Sequence, residues 1–550
     1  MKTPIRFLFA LLCVSLFGTA QGQTKNPNRQ SSIPYTKTRW VAKVDNPNDV
    51  MARGRFELWD VSRGEPGVLI NSDFPVKGMC YSPIRINENI DFARWLSDIF
   101  WDNVASDPMA PSEHKHGQIG GLLENYRFNW ADGQCMLPNT ATCRGDLTTL
   151  NELNVNTIRV YGMTSRFNPV ERTPPYRKYT PDPIEQNNPN LVARCTHKQF
   201  LDDCAAHGIY VIVGLFLDAK FWDKRTNDLK NRDHNIRNII AWFDQAYKEV
   251  VQEVGNHPAV MGFCINNEID GVDIVYRDPE SAEFFWEQMR RISSTVKRLA
   301  PDKLVGVAFH NNQEITWGAQ DYMKTVPDID YWGINVYVTD AAALANIFFI
   351  DSPRDHMLGY SKLPSQAKKP VLFTEIGWPQ TTRTTNDASC PGRLSMTDDN
   401  TTVTQAVGNL WRLLGGALNV PPAQKEMPLC PGTMYFEFND EWFKDGEKHP
   451  DCTGGKQLCT WIGAIAGGPG FPGGWWDDDG FGVYSVKRAQ GVADCDRTFD
   501  YLPQYNYFGP LQAYDTLELG QSAPNTRTYI HDAVRDVYGT PTPTPTPVGN

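Results

Sequence analysis

The chain of 550 residues has no C-x-x-C pair and no zinc-type spacing of cysteine and histidine, which argues against a structural metal site. No Gly-x-Ser-x-Gly segment occurs to suggest a serine esterase. No glycine-rich phosphate loop follows the first strand-like run, which weakens a nucleotide-binding reading. Positive charge is in deficit. The formal net charge of −11 argues against a nucleic-acid partner, because phosphate binding needs a basic field. Beyond the N-terminus no apolar run is long enough for a membrane helix. Two fragments look like metal sites but lack partners. His114-Lys115-His116 reads as loop, and Asp477-Asp478-Asp479-Gly480 lacks the full calcium-loop pattern and reads as a polar turn. No cofactor and no metal are expected.

What is present begins with a short export signal. Lys2 and Arg6 give a charged start, Phe7–Phe17 is a brief apolar run, and Gly18-Thr19-Ala20 offers small residues for cleavage. Residues 1–20 are thus read as a signal peptide, which places the protein outside the cytoplasm, secreted or periplasmic. Cys13 follows Leu11-Leu12 rather than small residues, a poor context for lipid attachment. Of 12 cysteines all but Cys13 survive cleavage, an odd number. Export permits disulfides, and Cys135 with Cys143, Cys195 with Cys204, and Cys452 with Cys459 are close enough for local bridges. Cys80 and Cys264 sit inside apolar strand-like runs and are expected as buried free thiols. The far end alternates threonine and proline from Thr540 to Pro547, an extended linker composition. A module appended beyond that tail is one reading; a spacer is the other.

Between the ends the pattern is α/β. Residues 21–74 form an N-terminal extension with short strand-like stretches such as Arg55–Trp59 and Gly67–Ile70. Residues 75–538 alternate short apolar runs with longer amphipathic ones, and residues 539–550 are the tail. The strand candidates are Val76–Ile84, Asn156–Met163, Tyr210–Leu217, Ala259–Glu268, Leu304–His310, Tyr331–Val338, Pro370–Trp378 and Thr433–Trp442. Helical periodicity marks Asn235–Val254, Phe284–Leu299 and Thr404–Leu414. Nearly continuous apolar strands alternating with helices imply a parallel sheet covered by helices. Eight units suggest closure into a (β/α)8 barrel with extended loops and a small N-terminal β element; the competing reading is an open, doubly wound sheet. A barrel takes about 250 residues, so long loops or flanking structure are expected.

In such a barrel the working residues sit at the C-terminal ends of strands. The fourth run ends Cys264-Ile265-Asn266-Asn267-Glu268, and the seventh ends Phe373-Thr374-Glu375-Ile376-Gly377-Trp378. Each places a carboxylate at the expected mouth. Two such groups are what glycoside hydrolysis needs: one protonates the leaving oxygen, and the other attacks the anomeric carbon or activates water. A single glutamate there is more simply a salt bridge at a strand end. The pair is what argues for catalysis.

These segments resemble glycoside hydrolase clan A, retaining enzymes on (β/α)8 barrels. The finer likeness is to family 17, the β-1,3-glucanases, and less closely to family 72, the β-1,3-glucanosyltransferases. Thr374-Glu375-Ile376-Gly377-Trp378-Pro379 looks like the family 17 nucleophile segment, with Ile376 where threonine is usual. Gly262–Glu268 looks like its acid/base strand, with Asn266 where glycine is usual. Tyr435–Lys444 resembles the last strand, with Asn439 added and Phe443 interposed, and Lys77–Pro83 resembles the first. The likeness spans roughly residues 76–485. It implies Glu268 as acid/base, protonated at rest, and Glu375 as an ionised nucleophile, the two carboxyls about 5–5.5 Å apart. It implies further that Asn267 holds a sugar hydroxyl, that Arg159 keeps the nucleophile charged, and that Tyr337 bonds it. For Arg159 the alternative is a structural ion pair, and Asn335 could face inward as well as Tyr337.

Strand-end position alone nominates sugar contacts: Tyr81, Tyr161, His310, Trp378, Glu441, Trp442 and Lys444. Core packing competes for the tryptophans, a loop hydrogen bond for His310, and a salt bridge for Glu441 with Lys444. With 16 Trp, 21 Tyr and 27 Phe, and with exposed-looking pairs such as Trp475-Trp476, the chain has flat faces suited to sugar rings. The expectation is a secreted retaining β-glycosidase acting on a β-glucan, β-1,3-linked first. Transglycosylation, another β-glycan (mannan, galactan or cellulose) and a non-catalytic carbohydrate-binding barrel are the alternatives. The partner is a polysaccharide or oligosaccharide.

Overall fold

Eight parallel strands close on themselves in chain order: Val76–Cys80, Thr157–Val160, Tyr210–Leu215, Val260–Asn267, Leu304–Phe309, Tyr331–Val336, Val371–Ile376 and Gly432–Tyr435. They are called barrel strands one to eight below. The seam closes with Gly432 opposite Val76, so the open-sheet alternative is excluded. The computed structural model describes residues 32–82, 118–119, 122–123, 130–131, 145–161, 163, 197–215, 243, 247–268, 279–310, 315–316, 319–355, 357–380, 382–384, 395–397, 401–421, 424–439, 481–484 and 528–539. Among these, helices Pro279–Leu299 and Thr401–Leu418 contain two of the expected helical runs, and Lys248–Val254 ends the third. No described helix is long and apolar enough to cross a membrane.

The strands are buried on both faces because each face has its own core. One set of side chains (Ile158, Val160, Val211, Val213, Phe263, Val305, Ile334 and Phe373) packs outward against helices. The other set, including Cys80, Ile212, Met261, Cys264, Leu304, Tyr331, Leu372 and Met434, fills the barrel. This two-sided burial produces the near-continuous apolar runs visible in the sequence. Space inside is tight. A Cβ on Gly306 would lie 2.1 Å from the Tyr331 ring, so glycine there is what admits the tyrosine.

The N-terminal extension folds as an antiparallel sheet of Thr38–Asp45, Arg53–Asp60 and Val68–Asn71. Its register pairs Trp40 with Leu58 and Ala42 with Phe56, so these residues share one face. That face plugs the N-terminal end of the barrel. Trp40 meets Tyr210 edge-on at 4.9 Å, and Phe56 meets Tyr331 at 5.8 Å. Lys303, just before strand five, is fully buried and donates to Thr38 O, Thr38 Oγ1 and His257 O at 3.1, 2.9 and 3.0 Å. Burial pushes its pKa down to about 7.

Helix Thr528–Tyr538 closes the other side of the seam. The Tyr538 hydroxyl donates to Gly78 O at 2.5 Å and Thr433 O at 3.3 Å, touching strands one and eight together. Lys77 and Asn154 donate to its terminal carbonyl, and Gly539 follows at φ 72° as the left-handed residue that ends the helix.

Cysteine usage corrects one expectation. Cys204 is a buried free thiol, so the bridge with Cys195 is not formed. It lies on the inner face of helix Lys198–Ala206 with Phe200 and Leu201, in the outer core. Cys80 and Cys264 are buried thiols. The pairs Cys135/Cys143 and Cys452/Cys459 lie outside the described residues, as do the leader, the threonine-proline repeat, His114–His116 and Asp477–Gly480.

Candidate active site

The C-terminal ends of strands two, four, six and seven converge on one polar cluster. Arg159 of strand two and Glu375 of strand seven are 1% and 4% exposed and form an ion pair at 2.8 Å. The guanidinium also donates to Asn335 Oδ1 at 3.3 Å, Thr374 O at 3.2 Å and Asn267 Oδ1 at 2.7 Å. Burial opposes its charge, but Tyr161, Cys264, Glu375 and Cys80 around it raise its pKa well above the ordinary arginine value. It is a fixed cation.

Two phenols complete the surroundings of Glu375. Tyr161 donates to Oε1 and Tyr337 to Oε2, each at 2.6 Å. Burial, with Cys80 and Glu375, lifts the Tyr161 pKa well above the usual tyrosine range, against the pull of Arg159, so this hydroxyl keeps its proton. The Arg159 guanidinium lies 4.6 Å over the Tyr161 ring. Strand periodicity explains the pairing. Arg159 and Tyr161 are two residues apart and share a face, as do Asn335 and Tyr337.

The backbone aims the two carboxylates through matching irregularities. Against strand five, strand four shifts register where Val307 faces Ile265 but Ala308 faces Asn267, leaving Asn266 as the extra residue. Asn266 has φ 65° and Glu268 φ 54°. Left-handed backbone favours glycine and then asparagine, which fits the asparagine found where the resembled family usually has glycine. Strand seven shifts against both neighbours: Ile334 faces Phe373 while Asn335 faces Glu375, and Thr433 faces Phe373 while Tyr435 faces Ile376. Such bulges bend a strand and re-aim a side chain, and they are common beside active sites.

Asn335 joins the carboxylates. Its Nδ2 donates to Glu268 Oε1 at 2.9 Å and Asn267 Oδ1 at 2.8 Å, while its Oδ1 accepts from Thr374 Oγ1 at 2.7 Å as well as from Arg159. Asn267 Oδ1 thus takes two donors, which leaves that residue's own amide hydrogens for other acceptors.

The cluster therefore gathers Glu268, Glu375, Arg159, Asn267, Tyr337 and Tyr161. Tyr161, expected on the sugar wall, is instead a partner of Glu375. Tyr81 is not brought in. It is fully buried in the outer core, donates to Asp146 Oδ2 at 2.8 Å and packs on Phe438. Its neighbour Cys80 faces the barrel interior, so strand alternation turns Tyr81 the other way. His310 is half-buried at the end of strand five. Its pKa is lowered by burial and partly restored by Glu375, so it is near the cluster and tends to be neutral. Trp378 is half-buried against the outer core beyond strand seven. Glu441, Trp442 and Lys444 lie outside the described residues. Asn335, weighed in the sequence only as a residue that could face inward beside Tyr337, does so, two residues before it; Thr374 was not singled out.

The family described as "Domain of unknown function (DUF4434)" matches residues 146–341, which hold strands two to six. A 1,3-beta-glucanosyltransferase of Arthroderma benhamiae is 24% identical over 252 residues, 44% of this chain and 36% of that protein. The chain thus spans about a third of the length of that relative. An endocellulase structure from Pyrococcus horikoshii is similar at TM-score 0.37 and 13% identity, covering 86% of this chain and 98% of that one. A β-mannanase from the blue mussel Mytilus edulis gives 0.31 and 14%, covering 52% and 77%. A β-glucuronidase of Bacteroides uniformis gives 0.33 and 13%, covering 72% and 37%.

Proposed function

We propose that the protein is a secreted retaining β-glycoside hydrolase acting on a β-glucan, β-1,3-linked first. The observation that carries this reading is the treatment of Glu375. Both its oxygens are taken by donors from Arg159, Tyr161 and Tyr337, and Asn335 ties the same cluster to a second carboxylate, Glu268. A salt bridge at a strand end needs no such arrangement. Export rests on the charged and apolar leader of residues 1–20, and a polysaccharide as partner follows from the chemistry.

On this reading Glu375 is the nucleophile and Glu268 the acid/base. Glu375 Oε1 accepts from both Arg159 and Tyr161, whereas Oε2 accepts from Tyr337. Oε2 keeps the larger share of its lone pairs and is the attacking atom. It bonds to the anomeric carbon as Glu268 gives its proton to the glycosidic oxygen, whose bond to that carbon breaks with its electron pair. Glu268, now a carboxylate, takes a proton from the incoming hydroxyl, which attacks the same carbon and releases Glu375. Positive charge developing on the sugar ring is met by the carboxylate. Two inversions give net retention.

Transfer to a sugar hydroxyl instead of water is the second reading. It is favoured by the sequence similarity to a protein named as a 1,3-beta-glucanosyltransferase. The same residues serve both outcomes.

The test is digestion of a panel of β-glucans, laminarin-type chains included, with product mass, linkage and initial anomeric configuration determined. The expected result is β-configured product from the wild-type protein and at least a thousandfold less from Glu375→Gln. Products longer than the substrate would establish transfer. Equal release by both proteins on every glucan would sink the assignment. Glu268→Ala should recover activity with added azide and form a β-glycosyl azide.

A further inference from the structure

Asn335 is fully buried, and its amide has no freedom to turn over. Its Oδ1 faces Arg159 Nη1, and guanidinium hydrogens can only donate. Its Nδ2 faces Asn267 Oδ1, which is already identified as an oxygen because Arg159 Nη2 donates to it. Reversing the Asn335 amide would set N–H against N–H on one side and oxygen against oxygen on the other. Thr374 Oγ1 holds the same orientation by donating to Oδ1. The group that Asn335 presents to Glu268 is therefore an N–H, and it lies 2.9 Å from Oε1.

We propose that Asn335 is a positioning residue that holds Glu268 Oε1 as a hydrogen-bond acceptor and so favours the carboxylate form that the second displacement needs. This rests on reading Glu268 as the acid/base. A donor on a carboxyl oxygen binds the charged form more strongly than the neutral one, so this contact favours the carboxylate over the acid. It thereby eases the second step, in which Glu268 must act as base.

Arginine completes the logic. The same Arg159 that pairs with Glu375 fixes the Asn335 amide, so the two carboxylates have a common anchor. Among the described residues, the charged and titratable groups gathered with Glu268 include Arg159 in strand two and Tyr161 after it, Cys264 in strand four, His310 after strand five, Tyr337 after strand six and Glu375 in strand seven. None of the substitutions below removes any of them.

The test titrates Glu268 itself, independently of turnover. The full chain carrying [δ-13C]glutamate is followed by 13C NMR across pH, with Glu268→Gln identifying the resonance. The proposal expects the Glu268 carboxyl to titrate about one pH unit higher in Asn335→Ala, since a hydrogen bond to the charged form is lost. Thr374→Val keeps the shape of the core and removes only the hydroxyl that locks the amide. It should shift the same resonance in the same direction by a smaller amount, and it guards against Asn335→Ala failing to fold. The alkaline limb of kcat/KM should move with the resonance. Unchanged titration of Glu268 in folded samples of both variants would overturn the proposal, whatever the activity does. A shifted titration with an alkaline limb that does not follow would leave the role of the Asn335 contact standing and overturn the acid/base reading beneath it.

Discussion

At the scale of single residues, Glu375 is the centre, and Tyr161 is the partner whose role was open to misreading. Both phenols donate at 2.6 Å, but Tyr161 shares Oε1 with Arg159 while Tyr337 stands alone on Oε2. Removing Tyr161 leaves the guanidinium to hold Oε1 and loosens the carboxylate. Tyr161→Phe is expected to lower kcat about ten- to hundredfold, the size of one hydrogen bond to a charged group, with KM little changed. Steady-state kinetics on the glucan cleaved best by the wild type checks this. An effect confined to KM would return Tyr161 to the sugar wall, where position at a strand end had placed it. The information to decide was in the sequence: Arg159 and Tyr161 are two apart, so an inward arginine carries an inward tyrosine with it. The same parity sends Tyr81 outward once Cys80 is inward.

Elements were the most legible layer, and their irregularities the least. The barrel strands could be read because burial on both faces writes an unbroken apolar run. Bulges leave no such mark, since a one-residue register shift changes pairing and not composition. The one trace was Asn266, an asparagine where the resembled family has glycine, and its φ of 65° supplies the reason. Asn266→Gly should therefore keep stability within about 1 kcal/mol of wild type, its lost entropy offset by relief of the left-handed backbone. Asn266→Val should cost about 1–2 kcal/mol, and it should cost more in turnover, because Asn267 and Glu268 are aimed by that kink. Thermal unfolding and kcat measured together test this. A valine variant with full activity would mean the bulge does not position the acid.

The N-terminal sheet joins the barrel through an element contact that responds to pH. Lys303 inserts its ammonium among Thr38 O, Thr38 Oγ1 and His257 O, and burial lowers its pKa to about 7. In the unfolded chain the lysine keeps its proton to near the ordinary lysine value. Above about 7 the unfolded state thus binds more protons than the folded one, and this group makes stability rise with pH over that window. Below about 7 the folded protein carries a buried charge and the contribution is flat. Melting temperatures taken from pH 6 to 9 should show a rise that Lys303→Met abolishes. A wild-type slope that survives the substitution would assign it to another group.

At the scale of the whole molecule, the barrel is held shut at its base by the N-terminal sheet and along its seam by the helix that follows strand eight. Trp40 and Phe56 plug the base, and Tyr538 bridges strands one and eight. Neither touches the cluster around Glu375, so stability and chemistry should separate. Trp40→Ala is expected to lose about 3–5 kcal/mol, the usual cost of deleting a buried aromatic, with KM unchanged where the protein remains folded. Tyr538→Phe should lose about 1–2 kcal/mol, because two strand carbonyls at the seam lose a donor where water cannot replace it. The two variants act at sites with no shared partner in the described contacts, so their effects should add in the double variant. Urea unfolding of the three proteins measures this. A double variant much less stable than the sum would mean that base and seam fail together, and that closure of the barrel, more than any single contact, is what the flanking segments maintain.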